Sequence, residues 1–246
     1  MAIIAVNHIS KQYRSGDETV EALSGVSIGI DEGEFVTIMG QSGSGKSTLL
    51  AVLGGMNTPS DGTVEMAGTD IYALSGEKLA DFRAENLGFV FQSFHLVPYL
   101  TALENVMLPL AIKKMKRSEK ISAAREALMR VGLAGKGGRL PNQLSGGEQE
   151  RVAIARAIVN RPRIILADEP TGNLDSKNSE EIMALFRDLN GEGQTVVMVT
   201  HNPENCAYSD RTIFLRDGKV VAEEEGVKPR KACRLSIAYK KVPKKC

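Results

Sequence analysis

The sequence predicts an α/β fold, on three observations. Short apolar runs at Phe35–Met39, Leu87–Phe91, 164–167 and Thr195–Thr200 read as buried strands, and segments with helical periodicity lie between them. The first run leads into G-Q-S-G-S-G-K-S-T, residues 40–48, which meets the pattern G-x-x-x-x-G-K-[ST] at every fixed position and continues as a helix over Lys46–Leu53. At 246 residues the chain can bury one substantial core, so one domain with an inserted subdomain is expected rather than two independent domains.

In chain order, residues 3–8 and 25–30 alternate apolar with small or polar residues, as in a half-exposed antiparallel layer. Between them Tyr13 falls in a polar loop, where it either covers the sheet or offers a base a stacking surface worth roughly 1–3 kcal/mol. Gly40, Gln41, Ser42, Gly43, Ser44, Gly45, Lys46, Ser47 and Thr48 then form a strand-to-helix turn. Its glycines let successive backbone N–H groups point inward beside a helix N-terminus, which is an anion site. Lys46 adds a point charge for β- and γ-phosphates, and the Ser47 hydroxyl is placed to ligate Mg²⁺. A Gly/Ser-rich surface turn would match the four fixed positions by chance in roughly one chain of this length in a hundred.

A short strand near 63–66 and a helix over 75–83 precede the run that ends at Gln92. An amide at the C-terminal end of a buried strand can reach a metal or water, or simply close a loop. From residue 94 to 131 the pattern reads as helical, with a capping box at Thr101 and Glu104 and with Ile121, Ala124, Leu128 and Val131 on one face. This insertion is expected to form a helical subdomain over about 93–160. Ser145, Gly146, Gly147 and Glu148 follow, with a second capping box before a helix. Two glycines after a cap cost the helix about 1 kcal/mol each, which implies close approach to the backbone, and the exposed helix start suits a γ-phosphate bound by another subunit. Asp168 and Glu169 end the next strand and read as a metal-shell carboxylate and an acid or base toward water; the bland alternative is a pair of solvated turn acids. His201 ends the last buried strand, at the edge expected for Gln92 and Asp168. An Asp-Gly hairpin at 217–218 closes a domain expected to finish near 226.

Composition excludes several classes. No apolar run approaches the ~20 residues of a membrane span, and the start lacks the form of a signal peptide, so a cytosolic location is expected. Cys206, Cys233 and Cys246 match no metal or disulfide spacing and read as free thiols. Of 31 Lys and Arg, eight lie after Glu225 with no acid among them, which leaves 23 against 30 acidic residues in the body. An acidic body argues against nucleic acid as a partner. The basic segment 227–246 reads as a solvated extension, the alternative being a contact for an anionic membrane surface.

With Tyr13, the phosphate loop, Gln92, L-S-G-G-E, I-I-L-A-D-E and His201 all in this order, residues 3 to about 225 resemble the ATPase subunits of ABC transporters. F-V-F-Q-S-F-H-L-V-P-Y-L-T-A-L-E-N-V and A-D-E-P-T-G-N-L-D are similar to the lipoprotein-releasing and macrolide-exporter branch (LolD/MacB type), to which the cell-division ATPase FtsE is also similar. The resemblance implies a phosphate-loop NTPase core of RecA-like form, with a mostly parallel sheet, an antiparallel β layer and a helical subdomain. It also implies ATP and Mg²⁺ as cofactors, with Tyr13 on adenine, Lys46 on phosphates, Ser47, Gln92 and Asp168 at the metal, Glu169 polarising water and His201 at the γ-phosphate. Ser145 to Glu148 would act across a dimer of two copies, with Asp175 at that interface. The implied partners are a second copy and a separate membrane permease, which would hold the chain at the inner face of the cell membrane. The implied function is to power export or lipoprotein and peptide extraction, or, as in the cell-division member, to signal without transport. Glu150 stands where this branch more often has Gln, and its charge near a helix start is expected to be favoured by the dipole.

Overall fold

A computed structural model describes residues 2–16 and 18–226. The basic segment 227–246, with Cys233 and Cys246, lies outside the described residues. Two sheets carry the fold. The first is antiparallel, in the order β2-β1-β4-β5, from β1 (Ala2–Ser15), β2 (Glu18–Asp31), β4 (Asp61–Met66) and β5 (Thr69–Asp70). The second has six strands, in the order β10-β9-β3-β8-β7-β6, from β3 (Phe35–Met39), β6 (Leu87–Phe91), β7 (Ile164–Asp168), β8 (Thr195–Thr200), β9 (Arg211–Arg216) and β10 (Lys219–Glu225). All its pairings are parallel except that of β10 with β9.

The apolar runs are continuous because both faces of this sheet are covered. Along β7, Ile164 and Leu166 face a core shared with the antiparallel sheet and α1 (Lys46–Leu53), whereas Ile165 and Ala167 face the helical side. Val197 and Val199 of β8 alternate with Val196 and Met198 in the same way. The helical side is built from α3 (Ala102–Met107), α4 (Arg117–Arg130), α5 (Gly146–Ile158) and α6 (Ser176–Gly191), while α2 (Gly76–Asn86) leads into β6.

Three expectations need correction. Tyr13 lies within β1, opposite Val20, because the first two strands extend to 14 residues each and form a long hairpin. Residues 94–131 are not continuously helical: Pro98 and Pro109 each remove a backbone donor, and the segment divides into a loop, α3, a 3₁₀ turn and α4. The loop is pinned by Asn105, fully buried, whose side chain accepts from Val97 N and donates to the carbonyls of Val97, Leu100 and Thr101. The helix expected over 75–83 runs further, to Asn86. Both capping boxes form as expected, at Thr101/Glu104 and at Ser145/Glu148. The Asp217–Gly218 hairpin has positive φ at both residues, as its turn type requires.

Candidate nucleotide site

Strand register brings the polar strand ends to one edge. Met39 pairs with Thr200, Asp168 with Val199 and Phe91 with Asp168, so the next residues, Gly40, His201, Glu169 and Gln92, leave the sheet side by side. There a cleft of about 910 Å³ is lined by residues 40–48, Gln92, Glu169 and His201, and by Ala22, Phe214, Leu215, Arg216 and Asp217. The last five carry no chemical signature in the sequence, and the only hint of them lies in the loop glycines. A Cβ on Gly40 would lie 2.3 Å from the Leu215 carbonyl oxygen, and one on Gly45, at φ 100°, would lie 2.5 Å from that of Ala22. These two glycines therefore seat the loop against β9 and β2 as well as shaping it.

Within the loop, Lys46 is buried, and its Nζ donates to the carbonyls of Gly40 at 2.8 Å and Gln41 at 2.9 Å. Ser44 Oγ is buried with no hydrogen-bond partner, an unused donor inside an anion cradle. Ser47 Oγ donates to Asp168 Oδ1 at 3.2 Å. Burial raises the Asp168 carboxyl above its usual range, the Ser47 hydroxyl and Lys46 pull it down, and neighbouring Glu169 pushes it up. A hydroxyl, a carboxylate and the nearby Gln92 amide are hard oxygen donors, and they fit a cation that keeps waters and phosphate oxygens as its other ligands. Among the described residues no group of three or more His, Cys, Asp and Glu could hold a metal alone, so phosphate oxygens would have to complete such a shell.

Glu169 leaves β7 in the left-handed region at φ 47°, with its N–H donating to Val199 O at 3.0 Å. Its carboxylate is thereby turned into the cleft, where Oε1 lies 2.9 Å from His201 Nδ1 and Oε2 accepts from His201 N–H at 3.3 Å. Glu169 is largely covered and His201 largely exposed, so the imidazole forms the outer wall of the carboxylate's pocket. The Gln92 carbonyl accepts from Asn173 at 2.8 Å, and its side chain lies against Gly172, where a Cβ would meet Nε2 at 2.7 Å. Gly172 and Asn173 thus connect the acid pair to Gln92, a role the sequence did not reveal.

Other expected site residues stand apart from this cleft. Tyr13 is not among its lining residues; its hydroxyl accepts from Asn57, and Lys11 Nζ lies 5.3 Å from the ring centroid. Ser145, Gly146, Gly147 and Glu148, at the start of α5, are not among its lining residues either. The Glu148 carboxylate takes hydrogen bonds from Lys136 and from Ser145 N–H, and in that order these hold it below the usual carboxylate range. The cost of the two glycines has a partly internal cause: a Cβ on Gly147 would lie 2.4 Å from Asn178 Oδ1. Asn178 is held there by Asp175, the N-cap of α6. Ser145 is the exposed residue of this turn, with Gly146 and Glu148 half-buried. The expectation for Glu150 also fails: it is fully buried, neither carboxylate oxygen has a hydrogen-bond partner, and burial pushes its carboxyl up to about 9. It therefore carries no charge for the helix dipole to favour. Cys206 is a free thiol, half-buried near Met39.

A phosphate loop opening onto such an edge suits a nucleoside triphosphate, and by fold and site the chain is a phosphate-loop ATPase. The family described as ABC transporter matches residues 23–172, and the chain belongs to it. It is 50% identical over 224 residues to the ABC transporter ATP-binding protein YvrO of Bacillus subtilis (strain 168), covering 91% of this chain and 98% of that one. It is 48% identical to the lipoprotein-releasing system ATP-binding protein LolD of Geobacter metallireducens, over 90% of this chain and 99% of that one. It is 49% identical to the macrolide export ATP-binding/permease protein MacB of Rhodopirellula baltica, over 90% of this chain but only 33% of that longer protein. Among solved structures, a dimeric ATP-binding cassette in a post-hydrolysis state with ADP and Pi matches with TM-score 0.84 at 46% identity, over 90% of this chain and 98% of that one. The chain is thus an ATP-binding and ATP-hydrolysing subunit of the kind that powers a membrane permease. No helix among the described residues is long and apolar enough to cross a membrane.

Proposed function

We propose that two copies of this chain close on ATP and drive a separate permease that exports or extracts a lipophilic or peptide-like substrate at the inner face of the cell membrane. One observation carries the reading. Exposed Ser145 caps a helix start at Gly146 and Gly147, whose backbone N–H groups suit a phosphate, yet this turn lies outside the chain's own phosphate cleft. A second copy supplies the missing phosphate, in keeping with the dimeric form of the related cassette.

Within each site, residues 40–48 and Lys46 hold the phosphates. Ser47, Asp168 and Gln92 hold Mg²⁺, which neutralises charge on the phosphate oxygens when bound. Glu169 accepts a proton from the attacking water as the water oxygen bonds to the γ-phosphorus and the bond from that phosphorus to the β–γ bridging oxygen breaks, so that ADP and phosphate leave, and His201 keeps that carboxylate oriented through its 2.9 Å contact. Tyr13 takes the adenine on the ring face away from Lys11. Asp175 sets α6 behind the Ser145 turn through Asn178. The ATPase body covers residues 1–226, with the helical subdomain over about 93–160.

The test is dimer formation. Glu169→Gln protein with ATP elutes as a dimer in size exclusion, ADP does not support that dimer, and adding Ser145→Arg abolishes it. A dimer that survives Ser145→Arg would overturn the trans role. Signalling without transport, the other function the sequence admits, is separated by reconstitution with the co-purified membrane protein: substrate must leave the membrane in step with hydrolysis.

A further inference from the structure

Arg156 sits in the last turn of α5 and, among the described residues, makes no salt bridge. Its guanidinium instead donates to two consecutive main-chain carbonyls, Nη1 to His95 at 2.5 Å and Nη2 to Phe94 at 2.7 Å. Those two residues both occupy the left-handed region, at φ 59° for Phe94 and 47° for His95, a conformation that L side chains avoid and that the surroundings must hold in place. The clamp grips the chain two residues after Gln92. Its base is firm: a Cβ on Gly88 of β6 would lie 2.5 Å from the Ala157 carbonyl oxygen, so α5 rests directly on the strand that ends at Gln92. On the same helix, Glu150 lies fully buried within electrostatic reach of Arg156, with both oxygens unpartnered.

We infer that Arg156 is a positioning residue with two stations: the carbonyls of Phe94 and His95 in the arrangement described here, and the Glu150 carboxylate when the segment after Gln92 moves. A half-buried guanidinium left without acceptors is costly, so a strained segment can leave it only if another buried group takes over. Glu150 is such a group, and it releases its proton to solvent as the pair forms. The two stations make the segment bistable, which ties displacement at Gln92 to the helix that begins at Ser145. This rests on the proposed placement of Gln92 at the nucleotide.

Steady-state hydrolysis by full-length variants tests it. Glu150→Met removes the second station while filling the space, and it should melt higher than the parent yet lose kcat on the order of tenfold with KM for ATP unchanged. Glu150→Gln keeps an acceptor and should stay within about twofold of the parent. Arg156→Lys should also lose kcat, and adding Glu150→Met to it should cost nothing more. A Glu150→Met protein with the parent's kcat would overturn the second station, and this contrast stands even if Arg156→Lys fails to fold. Gln92→Ala separates the two readings. If Gln92→Ala leaves kcat unaltered, the placement of Gln92 fails and this inference with it; if kcat falls while Glu150→Met is silent, only the second station fails.

Discussion

Glu169 and Glu150 are both largely withdrawn from water, and their surroundings give them opposite duties. Glu169 has His201 beside it and a cleft in front. Changing it to Gln keeps the shape and removes the base, which should lower the hydrolysis rate roughly 10²–10⁴-fold with nucleotide binding retained, read by turnover and by fluorescent nucleotide titration. Glu150 has no hydrogen-bond partner and holds its proton up to about 9 against 4.5 for a free carboxyl. Between these values the folded chain binds a proton that the unfolded chain has lost. Stability at this residue therefore falls as pH rises from about 4.5 to about 9, by up to about 1.4 kcal/mol per pH unit. Glu150→Gln should abolish that slope, so its melting temperature gains most on the parent near pH 9 and gains nothing below pH 4.5. The place of Asp168 and Glu169 was legible in the sequence because a buried run fixes where a strand ends. The burial of Glu150 was not, because helical periodicity gives no sign of which turn of α5 is seated on β6.

At the scale of elements, the turn that opens α5 is shaped from two sides. Asn178 of α6 packs where a Gly147 side chain would be, at 2.4 Å. Gly147→Ala should therefore cost about 1–3 kcal/mol in thermal or urea unfolding and displace Ser145 as well, whereas Gly146→Ala, whose nearest contact is Leu174 at 3.4 Å, should be milder. The segment between Gln92 and α3 also sorts its apolar residues. Leu96 packs on the helical core, while Tyr99 is 81% exposed and Ile112, beyond α3, is 69% exposed. Tyr99 is thus the better probe of a permease-docking surface. Tyr99→Glu should leave basal hydrolysis and melting temperature unchanged and remove stimulation by the co-purified membrane partner. Retained stimulation would place docking elsewhere. Asn105, whose four hydrogen bonds fix this stretch, could not be singled out from the sequence, because an amide's residue type does not tell whether it is buried.

For the molecule as a whole, strands with two covered faces announce themselves as apolar runs, so β3, β6, β7 and β8 and the site at their ends are legible from residue pattern alone. Contact between distant layers is not. Ala22 and Leu215 reach the phosphate loop through backbone oxygens, which leave no trace in residue type. Tyr13 shows the same limit: its residue type suggests a surface for a ligand, but its place in a 14-residue strand beside Lys11 and Asn57 could not be read from the residue itself.

The seat of Ala157 on Gly88 has a mechanical consequence. Ser145 stands twelve residues up the same helix, about 18 Å away at a rise of about 1.5 Å per residue. A helix pivoting on that seat by about 10° would carry Ser145 some 3 Å, about the full length of a hydrogen bond. If the proposed phosphate contact lies at Ser145, a pivot of that size would be enough to make or lose it while the helix end seated on Gly88 barely shifts.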